Sequence, residues 1–174
     1  SSAASDVYKR QIGKLGAGSI FTGQFVRVDG TNGILGFGRP WNLRPTKLKG
    51  YYQYQGVDID YVSTELQALK GRPDTCQVYV ALTDWTAPYE IRTNPKNRQL
   101  FDKNADYVIG YGELQDAGSM SGFEPFEIEI KYRDTSRVPG YIVITCCASK
   151  YGDYFTGGNG SKLWVDQLSF SFDY

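Results

Sequence analysis

The stretch FEIEIKYR at residues 126–133 decides the fold class. Phe126, Ile128, Ile130 and Tyr132 alternate with Glu127, Glu129, Lys131 and Arg133. A period of two places one apolar and one charged face on opposite sides of the backbone, the signature of a half-buried strand at a sheet surface. Outward from it, the same logic predicts strands near 19–28, 47–55, 75–82, 105–114, 141–148 and 162–174. Residues 142–146 are apolar on both faces, which calls for a central position. Turn clusters separate these runs: DGTNG at 29–33, GRP at 71–73, TNPKN at 93–97 and GGNGS at 157–161. STELQALK at 63–70 alone reads as helical, with Ser63 as candidate N-cap. Seven or more strands with almost no helix and no internal repeat imply an all-β, jelly-roll sandwich.

A chain of 174 residues can bury a core without staples. Residues 12–174 are read as one β jelly-roll domain. Nineteen basic and nineteen acidic side chains cancel, and no basic cluster stands out, so a nucleic-acid partner is not expected. No apolar run is long enough for a transmembrane segment. The chain has 14 tyrosines, 20 glycines and no histidine. Tyrosine favours strands and glycine favours turns and bulges. Lacking histidine, the chain has no Ser-His-Asp or Cys-His catalysis and no common zinc site, while carboxylate chemistry stays open. Cys76, Cys146 and Cys147 read as buried small hydrophobes in preference to a disulfide framework. Residues 1–11, SSAASDVYKRQ, have no hydrophobic period, and DVYKRQ matches a translated sequencing-adapter end. They are expected to be a non-native scar that hides the true N-terminus.

The last strand changes phase. Leu163 and Val165 set one apolar phase; Leu168, Phe170 and Phe172 set the other. A β-bulge at Asp166–Gln167 would return all five to the core and re-aim Asp166. A bulge that only turns a sandwich corner explains the slip equally well.

Three stretches together resemble a known family: GRPWNLRPTKLKGYYQY at 38–54, VYVALTDW at 78–85 and SKYGDYFTGGNGSKLWVDQLSF at 149–170. The chain is similar to the carbohydrate metabolism domain of secreted and lipid-anchored proteins of Gram-negative gut bacteria. The resemblance implies a jelly roll like those of non-catalytic carbohydrate-binding modules. It also implies a secreted or outer-membrane-anchored location, extracellular or periplasmic, and a further N-terminal domain. Gln53 stands where the family often carries Lys.

A saccharide site needs rings for C–H faces and planar polar groups for hydroxyls. Two segments combine them: the loop holding Trp41 and Arg44, and residues 151–161 with Tyr151, Asp153, Tyr154 and Asn159. Trp41 reads equally well as a plug at one end of the sandwich. Trp85 tips towards core packing, and either Tyr51 with Gln53 or Tyr52 with Tyr54 must face inward. GGNGS lacks the lysine and helix of a phosphate loop. Sugar-binding jelly rolls often carry a structural calcium, which makes Asp166 a candidate ligand, although calcium needs six or more oxygens and no dense acidic loop supplies them. No other cofactor is called for. The expected function is a non-catalytic module binding an oligo- or polysaccharide. The alternatives are a glycoside hydrolase using two of Glu113, Glu124, Asp153 and Asp166, and a structural domain without a small ligand.

Overall fold

In the computed structural model, residues 2–3, 15–30 and 32–173 are described. Thirteen strands follow in chain order: β1 (Ser2–Ala3), β2 (Ser19–Phe21), β3 (Gly23–Asp29), β4 (Asn32–Phe37), β5 (Arg39–Pro40), β6 (Lys47–Gln55), β7 (Cys76–Thr83), β8 (Tyr89–Arg92), β9 (Val108–Asp116), β10 (Glu124–Glu129), β11 (Lys131–Tyr132), β12 (Tyr141–Cys147) and β13 (Lys162–Ser171). All pair antiparallel.

The FEIEIKYR segment keeps its predicted alternation. Phe126, Ile128 and Ile130 are buried, while Glu127, Glu129 and Lys131 face solvent. It also joins two sheets, because β10 pairs with β6 whereas β11 pairs with β9. Gly112 of β9 makes the crossing possible: a Cβ there would lie 2.3 Å from the Glu129 carbonyl oxygen.

A four-stranded sheet has the order β1-β13-β6-β10. A larger central sheet runs β11-β9-β7-β12-β2, with β5 also on β12. Between them lies the main core, in which Leu48, Tyr52, Tyr54, Phe126, Leu163 and Val165 meet Val78, Val80, Leu82, Ile142 and Cys146. The inward pair on β6 is therefore Tyr52 and Tyr54. Each such side chain contributes about 1.5–3 kcal/mol when fully buried. The opposite face of the central sheet is covered by a third sheet, β3-β4-β8, with Tyr79, Ala81 and Val143 packed against Phe37, Trp85 and Ile91. Hence β7 and β12 are buried on both faces, as the apolar run 142–146 requires.

The phase slip in β13 is a bulge. Asp166 lies opposite Tyr51 and Ser169 opposite Lys49, and Gln167 adopts a left-handed φ of 51°. Leu163, Val165 and Phe170 pack on the core as expected, but Leu168 and Phe172 are 41% and 40% exposed. Gln167 and Leu168 together stand opposite Gly50, the one extra residue of a bulge, and Phe172 lies beyond the strand's end. Residues 63–70 form not an α-helix but a 3₁₀ segment, Thr64–Leu69, without a side-chain cap from Ser63 and with no buried residue. Strands β4 and β8 escaped the sequence reading because glycines interrupt the first and the second has only four residues. Cys76, Cys146 and Cys147 are free thiols. Of residues 1–11, only the backbone of 2–3 is described, paired with Trp164 and Leu163; the rest of the expected scar lies outside the described residues.

Candidate functional site

One buried carboxylate organises the loop over residues 149–161. Asp74 is 1% exposed. Its Oδ2 accepts hydrogen bonds from Ser149 Oγ (2.6 Å), Gly158 N (2.7 Å) and Ser161 Oγ (2.8 Å), and its Oδ1 accepts one from Thr75 N (2.9 Å). A buried acid is tolerable only with donors of this kind, and each is strengthened by the charge. Gly157 lets the loop close, since a Cβ there would meet Ser149 Oγ at 2.5 Å. The loop then makes a 3₁₀ turn, Gly152–Tyr154, and ends on Phe155 in the left-handed region, φ 53°.

This loop forms the lip of a cavity of about 520 Å³. Gln77 and Tyr79 of β7 with Thr145 and Cys147 of β12 make the floor. Phe25, Val28, Leu35 and Phe37 of β3 and β4 make one wall, and residues 15–17 another. Lys150, Asp153 and Phe155 stand at the lip. The volume lies within the range of about 300–1,000 Å³ typical of small-ligand sites. Toward the Trp85 end, the same sheet face is filled by rings: Trp85 stacks on Tyr89 at 4.8 Å, and Tyr79 on Phe101 at 5.3 Å. The hollow lies where that ring packing stops.

The polar groups in the cavity are few. Asn32 is buried; its Nδ2 donates to the Asp29 carbonyl, while its Oδ1 has no hydrogen-bond partner among the described residues. Cys147 Sγ donates to the Gln77 carbonyl oxygen, and burial pushes its thiol pKa up. Asp153 is solvent-exposed at the lip, with protein crowding its carboxyl. Desolvation raises its pKa above the usual aspartate value, and the Arg98 charge opposes the rise only in part. Arg98 lies over the Tyr154 ring at 4.5 Å and donates to both Glu65 carboxylate oxygens at 2.7 and 3.0 Å.

Of the candidates, Asp153 lines the cavity, while Tyr151 and Tyr154 stand on the same loop outside its lining. Tyr151 carries Lys150 Nζ over its ring at 5.3 Å. Asn159 is exposed on the same loop, where its backbone N–H donates to Asp60. The remaining candidates lie elsewhere. Trp41 packs on Phe170 at 5.3 Å, at the opposite end of the strands, and its indole N–H donates to Leu43 O at 2.9 Å. Arg44 donates to the carbonyls of Asp134 and Arg137 and lies over Tyr132. Trp85 is buried, 9% exposed. Tyr51 and Gln53 point outward from β6.

Asp166 is exposed, and its Oδ1 accepts the neighbouring Gln167 N–H at 2.9 Å. Among the described residues no three His, Cys, Asp or Glu side chains gather to hold a metal ion. The four candidate carboxylates stand on different elements, Glu113 on β9, Glu124 on β10, Asp153 on the loop over 149–161 and Asp166 on β13. Glu124 is exposed on β10, and Asp166 lies on the outer face of the four-stranded sheet. Glu113 lies behind Gln77 and does not line the cavity. Desolvation would raise its pKa, but donors from Lys103, Gln115, Gln77 and Tyr111 outweigh this and hold it at about 2.

Sequence reasoning missed Asp74, Asn32, Phe25 and Tyr79. A lone Asp after GRP offered no signal, and the other three meet only when the third sheet folds over the second.

A family model described as "Putative carbohydrate metabolism domain" matches residues 2–171. Among curated proteins none matches the chain. Two crystal structures share the fold. One is a putative glycoside hydrolase from Bacteroides vulgatus, with TM-score 0.67 and 22% identity over 90% of this chain. The other is a putative glycoside hydrolase from Bacteroides thetaiotaomicron, with TM-score 0.69 and 19% identity over 99% of this chain. The chain spans only 65% and 52% of their lengths.

Proposed function

The chain belongs to the putative carbohydrate metabolism domain family, and from that premise we propose that it is a glycan-binding module that holds a saccharide, without cleaving it, in the cavity between the central and third sheets. The observation that carries this reading is the lining: aromatic walls and several hydroxyl-matching groups, with Asp153 as the one carboxylate among the described lining residues. Phe25, Tyr79 and Phe155 offer rings to the C–H faces of a sugar. Gln77, Lys150 and Asp153 offer partners to its hydroxyls. Retaining or inverting hydrolysis needs two carboxylates about 5–10 Å apart across the scissile bond. The raised Asp153 would suit a general acid, which is what favours the hydrolase as second reading. An exported protein with a further domain remains part of the proposal through the family resemblance.

Glycan-array screening followed by calorimetry tests it. Binding in the micromolar to millimolar range is expected, with Kd rising about tenfold in Phe25→Ala at unchanged melting temperature. Release of reducing sugar, abolished in Asp153→Asn, would replace the module by the enzyme.

A further inference from the structure

The outer face of the four-stranded sheet carries a second assembly of rings and planar polar groups. Register sets Trp164 opposite Gln53, places Tyr51 between Pro125 and Asp166, and places Lys49 between Glu127 and Ser169. Tyr51 is 43% exposed, Trp164 is half-buried, and Pro125, Glu127 and Asp166 are exposed. The charges on this face cancel in number, Lys47, Lys49 and Lys162 against Glu127, Glu129 and Asp166, and Glu127 pairs with Lys47 at 3.0 Å and with Lys49 at 3.2 Å. Beside them the face offers a partner two rings, a proline and the planar group of Gln53.

We infer that this face is a platform for an extended, uncharged polysaccharide chain, separate from the cavity. Tyr51 and Trp164 are diagonal neighbours on adjacent strands, a spacing of roughly 7–8 Å. That spacing lets the two rings stack on successive sugars rather than on the same one, so the ligand is a chain and not a monosaccharide. With three cations and three anions on the face, a charged polymer meets no net charge to neutralise, which selects a neutral glycan. Asp166 continues the register of residues 162–165 and so faces outward beside Tyr51, where its carboxylate can accept from a sugar hydroxyl. The inference shares with the proposed function only the saccharide class of the ligand.

Affinity electrophoresis of the whole chain in gels containing xylan, galactomannan or mixed-linkage β-glucan tests the platform, with polygalacturonate as the charged comparison. Retardation by at least one uncharged polymer is expected, falling about tenfold in apparent affinity in Trp164→Ala and in Tyr51→Ala. Melting temperatures confirm folding, and the exposed Tyr51 keeps the test valid if Trp164→Ala does not fold. No retardation by the three neutral polymers, retardation by polygalacturonate alone, or retardation insensitive to both face variants would overturn the inference. Loss in Phe25→Ala alone would do so too, while supporting the cavity.

Discussion

The loop around Trp41 and the loop over residues 149–161 look alike in sequence, yet one closes an end of the sandwich and the other opens a site. Each has aromatic, planar polar and turn-forming residues. In the first, the ring and the guanidinium are used internally: the Trp41 ring lies on Phe170, its N–H goes to Leu43, and the Arg44 guanidinium serves two carbonyls. In the second, the internal bonds converge on Asp74 beneath the loop, and Lys150 and Asp153 line a hollow. Residue type marks both loops as capable of binding; the destination of each hydrogen bond decides which one has anything left for a ligand.

The largest effect is expected from Asp74→Ala, which leaves Ser149, Ser161 and Gly158 without their acceptor. A loss of about 3–5 kcal/mol in urea unfolding is expected, with faster amide exchange over 149–161. A loss below about 1 kcal/mol would mean that the loop is held by something other than this carboxylate. Trp41→Ala comes next. Its half-buried ring should cost about 2–4 kcal/mol, on the low side of fully buried aromatics, with glycan affinity unchanged. Weakened binding in a fully folded Trp41→Ala would break the comparison between the loops, because the sealed end would then be a site.

A smaller effect is expected from Asp153→Asn, and it depends on pH. The folded-state pKa of Asp153 is raised, so the native state holds its proton more tightly than the unfolded chain does. Its contribution to stability is present below the unfolded value of about 3.9 and is lost as pH rises through the raised value. Melting temperature followed against pH should therefore fall less over that window in Asp153→Asn than in the parent. Glu113 behaves oppositely. With its pKa held at about 2, its contribution is present above the ordinary glutamate value and fades as pH drops towards 2. A Glu113→Gln variant should thus be most destabilised near neutral pH. The smallest effect is expected from removing residues 1–11, which should shift the melting temperature by no more than a few degrees. A larger drop would show that the segment packs as a real strand.

Local pattern by itself determined the strand content and the all-β class. Alternation in 126–133, the doubly apolar 142–146 and the phase slip before Leu168 each follow from side chains taking opposite faces along an extended backbone. It determined as well that histidine-dependent chemistry is absent. Only the tertiary structure decided which faces meet. Tyr52 and Tyr54 turn inward while Tyr51 turns outward because β6 packs its even-numbered face on the central sheet. The cavity draws Asn32 from one hairpin, Gln77 and Thr145 from the central sheet and Asp153 from a distant loop. Their convergence rests on long-range strand pairing, and the buried Asp74 fixes that loop through donors 75 to 87 residues away in the chain. No local period records a contact of that range, because periodicity registers the face a side chain occupies and not what lies across from it.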